Sequence, residues 1–501
     1  MHILWTAPLL VLCTFGIISL GATPGFLSFL QFLLLPISRW STHLIHTGPY
    51  YPNVAVVIPA WDEALSLRTT ITVMMGQEYP PERIRVYVVD DASTDYTPEL
   101  MRKLVDEYFG RVFYLRREKG GEGKAAALNY GFSKILEEPW AQSLLIIDAD
   151  VIFTPSTLRK MTRHLADPSV GAVACYIKEG SASNHWLSRY IAFEYAIAQA
   201  GARRTFNVIG YQPCLAGGAQ LHSRENFEAI GGRIDTSTLA EDTFTTITTQ
   251  QLGRQVIFDG TTEVWAEEPA SLGSLWRQRV RWARGNVQIS LVFSKIWFRP
   301  TPNTNYLKKI FYDLIWFSLL FMPFLATAST ACLIFLYFVD QPEAWYLMHF
   351  TAFFCVVCWV YVLSASLVAD PQTARRSWVY APMFPGVISL LIIFSCAFRP
   401  EVGWLVYHTA SLTTGSTSWI PSTNALMIFP YSWILIAMPM TWVAKFLDDR
   451  KVKYIPRFII FLCGYGALLL AASCSAWYFE SRKAERTWDK TLKSGAAVVH
   501  V

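Results

Sequence analysis

Charge is scarce in this chain. Asp, Glu, Lys and Arg make up 16% of its 501 residues and apolar residues 52%, whereas a soluble domain carries about 25% charged residues. That balance argues against a wholly water-exposed protein. The deficit is local: the middle of the chain is mixed and polar, while the far C-terminal part is nearly charge-free. A long basic run is also missing, and the net charge is only +5. Nucleic acid is therefore not an expected partner, and an anionic membrane surface is. The nine cysteines are scattered, and no set has zinc-site spacing. Cys355 and Cys358 form a CxxC inside the apolar run 353–368, where they would share one helix face; packing accounts for them better than redox or metal chemistry. No internal repeat is evident. The basic start of a cleavable signal peptide is absent too: the chain opens Met1-His2, and its apolar region, 3–37, is about twice too long. It reads as a retained anchor, one long tilted helix or two short ones parted at Thr23-Pro24-Gly25.

What is present is an alternation. Residues 54–58 (VAVVI), 84–89 (IRVYVV), 111–115 (RVFYL) and 143–147 (SLLII) read as buried strands, separated by helical stretches near 63–76, 97–108 and 124–137. This order predicts a parallel sheet covered on both faces. Ligands of open α/β sheets bind beyond the carboxyl ends of the strands. Two strands run straight into acids there, Asp90-Asp91 and Asp148-Ala149-Asp150. Further on, 184–205 and 271–297 look helical and amphipathic. Apolar runs follow at about 312–338, 345–368, 379–398, 422–444 and 455–479, each long enough to span a bilayer. Lys308 and Lys309 precede the first run and Arg375 and Arg376 follow the second, so the central domain and the 370–378 loop are expected on the cytoplasmic side. The last run has cations on both flanks and the rule does not orient it. The aromatic, Ser/Thr-rich stretch 403–421 reads as interfacial, which makes six or seven crossings. The aromatics of these runs, among them Trp316, Tyr337, Trp345, Trp359, Tyr361, Trp433 and Trp442, fit an interfacial belt, with some placed to line a channel.

Five features carry chemistry. Asp148-x-Asp150 could share one divalent cation and its phosphates, since Mg²⁺ and Mn²⁺ take oxygen ligands and leave room for substrate; the alternative is a solvated turn. Asp90 and Asp91 could face a ligand while Ser93 or Asp95 caps the next helix. The turn Gly120-Gly121-Glu122-Gly123-Lys124 could approach a diphosphate, though it lacks P-loop spacing. Glu241-Asp242 could supply a general base or merely favour a helix start. Gln278, Arg281 and Trp282 fall on one helical face, offering an amide, a guanidinium for a diphosphate and an indole for a sugar ring; an amphipathic interfacial helix with snorkelling arginines is the alternative.

In their order and spacing, Asp90-Asp91, Asp148-x-Asp150, Glu241-Asp242 and Gln278-x-x-Arg281-Trp282 resemble the signature of processive family 2 glycosyltransferases, which include the cellulose, chitin, hyaluronan and poly-N-acetylglucosamine synthases. The resemblance covers about 54–290, and the trailing helices extend it. Pro59-Ala60-Trp61-Asp62-Glu63 resembles the family's Pro-x-x-Asn-Glu segment, with Asp62 in place of Asn. Lys124-Ala125-x-Ala127-Leu128-Asn129 resembles the next segment. Ala240 stands where Thr or Ser is common, and nothing after Trp282 matches the cellulose synthases' gating loop. Thr414-Gly415-Ser416-Thr417-Ser418-Trp419 is similar to a late Trp-containing segment of the hyaluronan and chitin group.

The resemblance implies an α/β GT-A (Rossmann-like) domain inserted between N-terminal and C-terminal transmembrane helices. It divides the chain into an anchor (1–45), a cytoplasmic catalytic domain (46–270), an interfacial helix region (271–310), a transmembrane channel region (311–480) and a tail (481–501). It implies transfer from a UDP-sugar to a growing glycan with inversion, in a multi-pass protein of the plasma membrane. Asp242, beside Glu241, is then the base. Mg²⁺ or Mn²⁺ sits on Asp150 and Asp148. Glu63, Asp91, Lys124, Asp148, Gln278 and Arg281 bind the donor, and Trp282 holds the acceptor. A non-processive transferase acting on a lipid, and a non-catalytic glycan-export subunit, are the competing readings. Neither the sugar nor any accessory subunit or oligomeric state is legible.

Overall fold

The computed structural model describes residues 2–40, 43, 47–181, 185–302, 305–339, 341–381, 384–397, 408–409, 411–413, 415, 423–485 and 497. Eight strands form one sheet: β1 (Val54–Ala60), β2 (Ile84–Asp90), β3 (Val112–Arg116), β4 (Ser143–Ile147), β5 (Ile152–Phe153), β6 (Val170–Glu179), β7 (Ala219–Ser223) and β8 (Gln255–Ala266). Their order is β3-β2-β1-β4-β7-β6-β8-β5. The first four are parallel, as their helix-separated spacing predicts. The expectation of a parallel sheet fails beyond β4. There β7 runs antiparallel to both β4 and β6, and β5 antiparallel to β8. The result is the mixed sheet of a GT-A domain, set between N-terminal and C-terminal apolar helices.

The parallel half is buried on both faces, which is why its strands read as unbroken apolar runs. Val54, Val56 and Ile58 of β1 pack with Leu67, Ile71 and Met74 of the helix Ala64–Met75. Ala55 and Val57 point the other way, onto Leu128, Phe132 and Ile135 of the helix Lys124–Ile135. The antiparallel half hides polar groups instead. Gln220 and His222 of β7 are fully buried, and burial pushes the His222 imidazole down to about 3, so it is neutral at physiological pH.

The N-terminal helix His2–Phe32 runs straight through Thr23-Pro24-Gly25, so the segment expected to be an anchor is one long helix rather than two short ones, with the short helix Leu35–Trp40 after it. Among the described residues three helical stretches are long and apolar enough to cross a membrane, Leu12–Ser38, Met322–Val339 and Pro342–Ala369. A fourth is possible only as the pair Ile455–Cys463 and Tyr465–Ser481, which meet at 95°. Three expected runs are therefore altered. The 312–338 run is broken at Phe321 into Tyr306–Leu320 and Met322–Val339. Within 379–398 the described helix is Val387–Ala397, which starts eight residues after the run does. The last run is bent rather than straight. The 422–444 run forms the helix Thr423–Asp449. The 403–421 stretch and the Thr414–Trp419 segment lie outside the described residues, Gly415 and a few neighbours apart, as does the Trp345 side chain. Cys355 and Cys358 both lie in the helix Gln341–Ala369 as free thiols. Several of the aromatics in these runs join helices. Tyr361 donates to the Phe32 carbonyl, Trp433 to Ser389 and Trp442 to Ser475.

The bend at Gly464 rests on two backbones in contact. Gly464 has φ 95° and ψ 152°, a region essentially closed to other residues. A Cβ there would lie 2.5 Å from the Pro385 carbonyl carbon, and one on Gly386 would lie 2.5 Å from that of Cys463. Gly464→Ala is expected to cost about 1–3 kcal/mol in backbone strain alone, before the clash. Its thermal midpoint in detergent should fall by several degrees, whereas Gly25→Ala, with open space around the site, should not move it. Equal midpoints for the two variants would mean that the bend does not need glycine.

Candidate active site

Strands β1 and β2 end level, with Ala60 opposite Asp90, and β4 lies beside β1 with Ile146 opposite Val57. The residues that follow all three strands therefore meet at one edge of the sheet. There they line a cavity of about 800 Å³, within the usual size range for a ligand pocket. The ten residues to which the family resemblance gives a role all line it: Glu63, Asp91, Lys124, Asp148, Asp150, Glu241, Asp242, Gln278, Arg281 and Trp282.

Asp90 does not face the cavity, contrary to expectation. It is fully buried, accepting from the Tyr114 hydroxyl at 2.5 Å, from Arg116 at 2.7 Å and from the Ser93 N–H at 2.8 Å. It fixes the loop, and Asp91 alone is presented, braced by Arg117 and by the Gly121 N–H at 3.0 Å. Ser93 is not a helix cap either; its hydroxyl accepts the Asp62 N–H at 2.9 Å. Asp95 takes the cap-like role, accepting the Thr97 N–H at 2.9 Å. Asp62 sits at φ 52°, where Asp and Asn are the best-tolerated side chains. Its Oδ1 accepts the N–H groups of Thr94 and Asp95 at 2.7 and 3.2 Å. An Asn could make the same contacts, so the departure from the family's Asn leaves this corner intact. Glu63 follows, its N–H on Thr97 and its carboxylate accepting from Ser66 at 3.2 Å.

Lys124 enters from the other side. The glycine turn brings it to the first position of its helix, and its ammonium reaches Asp148 at 2.6 Å, the Gly217 carbonyl at 2.7 Å and Glu241 at 3.9 Å. Burial pulls the lysine pKa down, but Asp148 and Glu241 outweigh it and the net shift is upward, so the group stays cationic. Glu241 shifts upward as well: burial raises it, Lys124 opposes and neighbouring Asp242 adds to the rise. Both acids lie in the first turn of the helix Glu241–Gln251, with Asp242 accepting the Thr243 N–H at 2.7 Å. Gly217 keeps the space between them open. A Cβ there would stand 3.5 Å from both the Asp242 carboxylate and the Lys124 ammonium.

The far wall is the helix Leu272–Val292, started by the Ser271 hydroxyl. Trp282 is 36% exposed. Arg279, which the sequence reading passed over, lies behind it with its guanidinium 4.3 Å from the ring centroid and 2.7 Å from Glu194. Glu194 and Glu268 line the cavity too. The i, i+3 spacing of Arg279 and Trp282 was visible in the sequence; the partners of Arg279 were not. Among the described residues no three or more His, Cys, Asp or Glu side chains come together as a metal cage. The Asp148 and Asp150 pair still fits a divalent cation of the kind that takes one or two carboxylates and completes its shell with phosphate oxygens.

Residues 52–285 match the family described as Glycosyltransferase like family 2. A Bacillus subtilis protein named "Probable glycosyltransferase YdaM" is 31% identical over 277 residues, 53% of this chain and 61% of that protein. A Synechocystis beta-monoglucosyldiacylglycerol synthase is 28% identical over 276 residues, 55% of each chain. A Staphylococcus aureus poly-beta-1,6-N-acetyl-D-glucosamine synthase is 25% identical over 240 residues, 48% of this chain and 56% of that one. The chain thus spans little more than half the length of these relatives. The matched stretch holds the entire sheet, Gln278, Arg281 and Trp282, and every residue lining the cavity except Asn286 and Glu485, and it is a glycosyltransferase family 2 domain.

Proposed function

We propose that this protein is a membrane-bound, inverting glycosyltransferase that extends a polysaccharide from a UDP-sugar. The observation that supports it most is the meeting of Asp242 with two unlike edges of one cavity. On one side lie Glu63, Asp91, Lys124, Asp148 and Asp150, suited to a nucleoside diphosphate; on the other lie Gln278, Arg281 and Trp282. In this reading the acceptor hydroxyl oxygen bonds to the anomeric carbon as the bond to the diphosphate oxygen breaks. Asp242 takes the hydroxyl proton. Glu241 stands beside Asp242 at the helix start, with the Lys124 ammonium 3.9 Å from its carboxylate. Asp150, with Asp148, would hold Mg²⁺ or Mn²⁺, which supplies Lewis-acid neutralisation of the leaving group. Lys124, Gln278 and Arg281 add donors to the diphosphate. Glu63 and Asp91 orient the uridine, and Trp282 stacks the terminal sugar of the acceptor.

Within that reading, residues 46–270 catalyse on the cytoplasmic face of the plasma membrane and 271–310 lie at the interface. Residues 1–45 anchor the protein, 311–480 carry the product across and 481–501 form a tail. A glycan cannot cross hydrocarbon with bare hydroxyls, so coupled export requires a lined path. A lipid acceptor is the second reading, favoured by the beta-monoglucosyldiacylglycerol synthase among the relatives. Membranes incubated with a panel of UDP-sugars separate the two: a polymer supports the first, a glycolipid of one or two sugars the second.

Asp242→Asn is nearly isosteric. It should cut transfer at least about 100-fold while UDP affinity, read by calorimetry, stays unchanged; a variant retaining half the activity would remove Asp242 as the base. EDTA should stop the wild type and Mg²⁺ or Mn²⁺ restore it, and Asp150→Ala should be inactive under all three conditions. Undiminished transfer in EDTA would dismiss the metal. For export, sealed vesicles with the catalytic domain outward should protect new polymer from added glycosidase. Complete digestion in intact vesicles would make this a synthase without its own exit path.

A further inference from the structure

Behind Trp282 lies a buried chain of contacts that the proposed reaction does not itself use. Arg279 is 5% exposed. Its guanidinium rests against the indole of Trp282, donates to the Gln278 side-chain carbonyl and pairs with Glu194 Oε2 at 2.7 Å. The same Glu194 oxygen accepts the hydroxyl of Tyr465 at 2.7 Å. Tyr465 is fully buried and stacks on Tyr190 with ring centroids 5.4 Å apart. It is also the first residue after Gly464, where the two C-terminal helices meet at 95°. A continuous set of contacts therefore joins the bend to Gln278 and Trp282, and its Tyr465–Glu194 link spans 271 residues of sequence.

Each link has a physical reason to be directional. A guanidinium seated on one face of an indole fixes the plane of the ring and leaves the opposite face for a ligand. It can do this only if it is held itself. A buried arginine without a counter-charge is costly, so Glu194 both neutralises and places it. The Tyr465 hydroxyl takes the remaining freedom from Glu194 by donating to the oxygen that binds Arg279. On the other flank Tyr195 donates to Glu268 at 2.7 Å, and Glu268 stands 3.5 Å from the Gln278 amide. Gln278 is thus approached from both ends by the same buried layer.

We propose that Glu194, Arg279 and Tyr465 are positioning residues that set the plane of Trp282, and that Tyr465 makes this setting depend on the bend at Gly464. Acceptor placement then responds to how the C-terminal helices are folded against the catalytic domain. This rests on the reading of Trp282 as the acceptor platform.

The test uses the full chain in detergent, labelled with 5-fluorotryptophan, with the Trp282 resonance assigned by its loss in Trp282→Phe. Tyr465→Phe deletes one hydroxyl, and Glu194→Gln keeps the shape and removes the charge. Both should shift that resonance, while Tyr454→Phe, at an exposed tyrosine, should not. With the active donor from the UDP-sugar panel and an oligosaccharide of the same sugar as acceptor, both variants should raise the acceptor KM about tenfold, as expected for a lost hydrogen bond to a charged group. UDP affinity should hold. Arg279→Lys keeps the charge but loses the planar fork, and should show the same KM defect. Should Glu194→Gln fail to fold, Tyr465→Phe still decides. An unmoved Trp282 resonance in Tyr465→Phe, a loss of UDP affinity matching the loss for acceptor, or an Arg279→Lys variant with wild-type KM would each overturn the coupling. A wild type inactive with every donor would sink the proposed function, and the resonance would then judge the coupling alone.

Discussion

The register of β1 against β2 and β4 sets the height at which each strand releases its chain, and the cavity depends on that height. A slip of one residue in these buried strands would exchange the side chains packed against the helix Ala64–Met75 with those packed against the helix Lys124–Ile135, and a close-packed core does not accept that exchange. Core packing therefore fixes the position of polar residues that contribute nothing to the core. Glu63, Asp91, Asp148 and Asp150 stand within one pocket because the strands before them are locked. A loop-built site would have to hold these acids by local contacts alone.

The same constraint creates an electrostatic problem. Carboxylates gathered at a sheet edge repel one another and lose hydration, and the molecule answers with buried or half-buried cations. Arg116 meets Asp90, Arg117 meets Asp91, Lys124 meets Asp148 and Glu241, and Arg279 meets Glu194. Such pairs add little net stability, since desolvation consumes most of the attraction. Their value is in placement. Asp90 gives up any contact with ligand so that Asp91 is held in one orientation. Lys124, meanwhile, spans the gap between the acids that follow β4 and those that open the helix Glu241–Gln251.

How much of this was legible follows from where the information sits. Strands β1 to β4 are local, apolar and separated by helices, and their positions could be read within a residue or two. Strand β7 could not: its buried Gln220 and His222 look like a surface segment until β4 and β6 close over them. Strand β5 has two residues, too few for any periodicity. Strand β6 was not named among the expected strands, although its apolar run VGAVACYI marks a buried segment. The candidate acids and Lys124 could be picked out because each lies near an element end, and Gln278, Arg281 and Trp282 because their spacing puts them on one helix face. The misreading of Asp90 came from treating adjacent acids as a pair, when a strand points successive side chains to opposite faces. Glu194 and Tyr465 gave no signal, because their meaning lies in a contact made far along the chain.

The helix Leu272–Val292 is where these two kinds of information join. One face closes the cavity with Gln278, Arg281 and Trp282. Elsewhere Arg284 grips Glu480 and the carbonyls of Ala484 and Glu485, and Gln288 reaches both Glu480 and the Leu239 N–H. Leu239 and Glu485 themselves line the cavity. A single rigid helix therefore contacts the loop before the proposed base, the acceptor edge and the end of the last C-terminal helix. A helix transmits displacement along its axis with little loss, because its backbone hydrogen bonds make it stiff relative to its side-chain contacts. Movement of the C-terminal helices cannot leave the cavity wall unaffected unless the buried pairs of Arg279 and Arg284 break first, and breaking either would strand a charge away from water. The interface between the catalytic domain and the apolar helices is thus a part of the active site's wall.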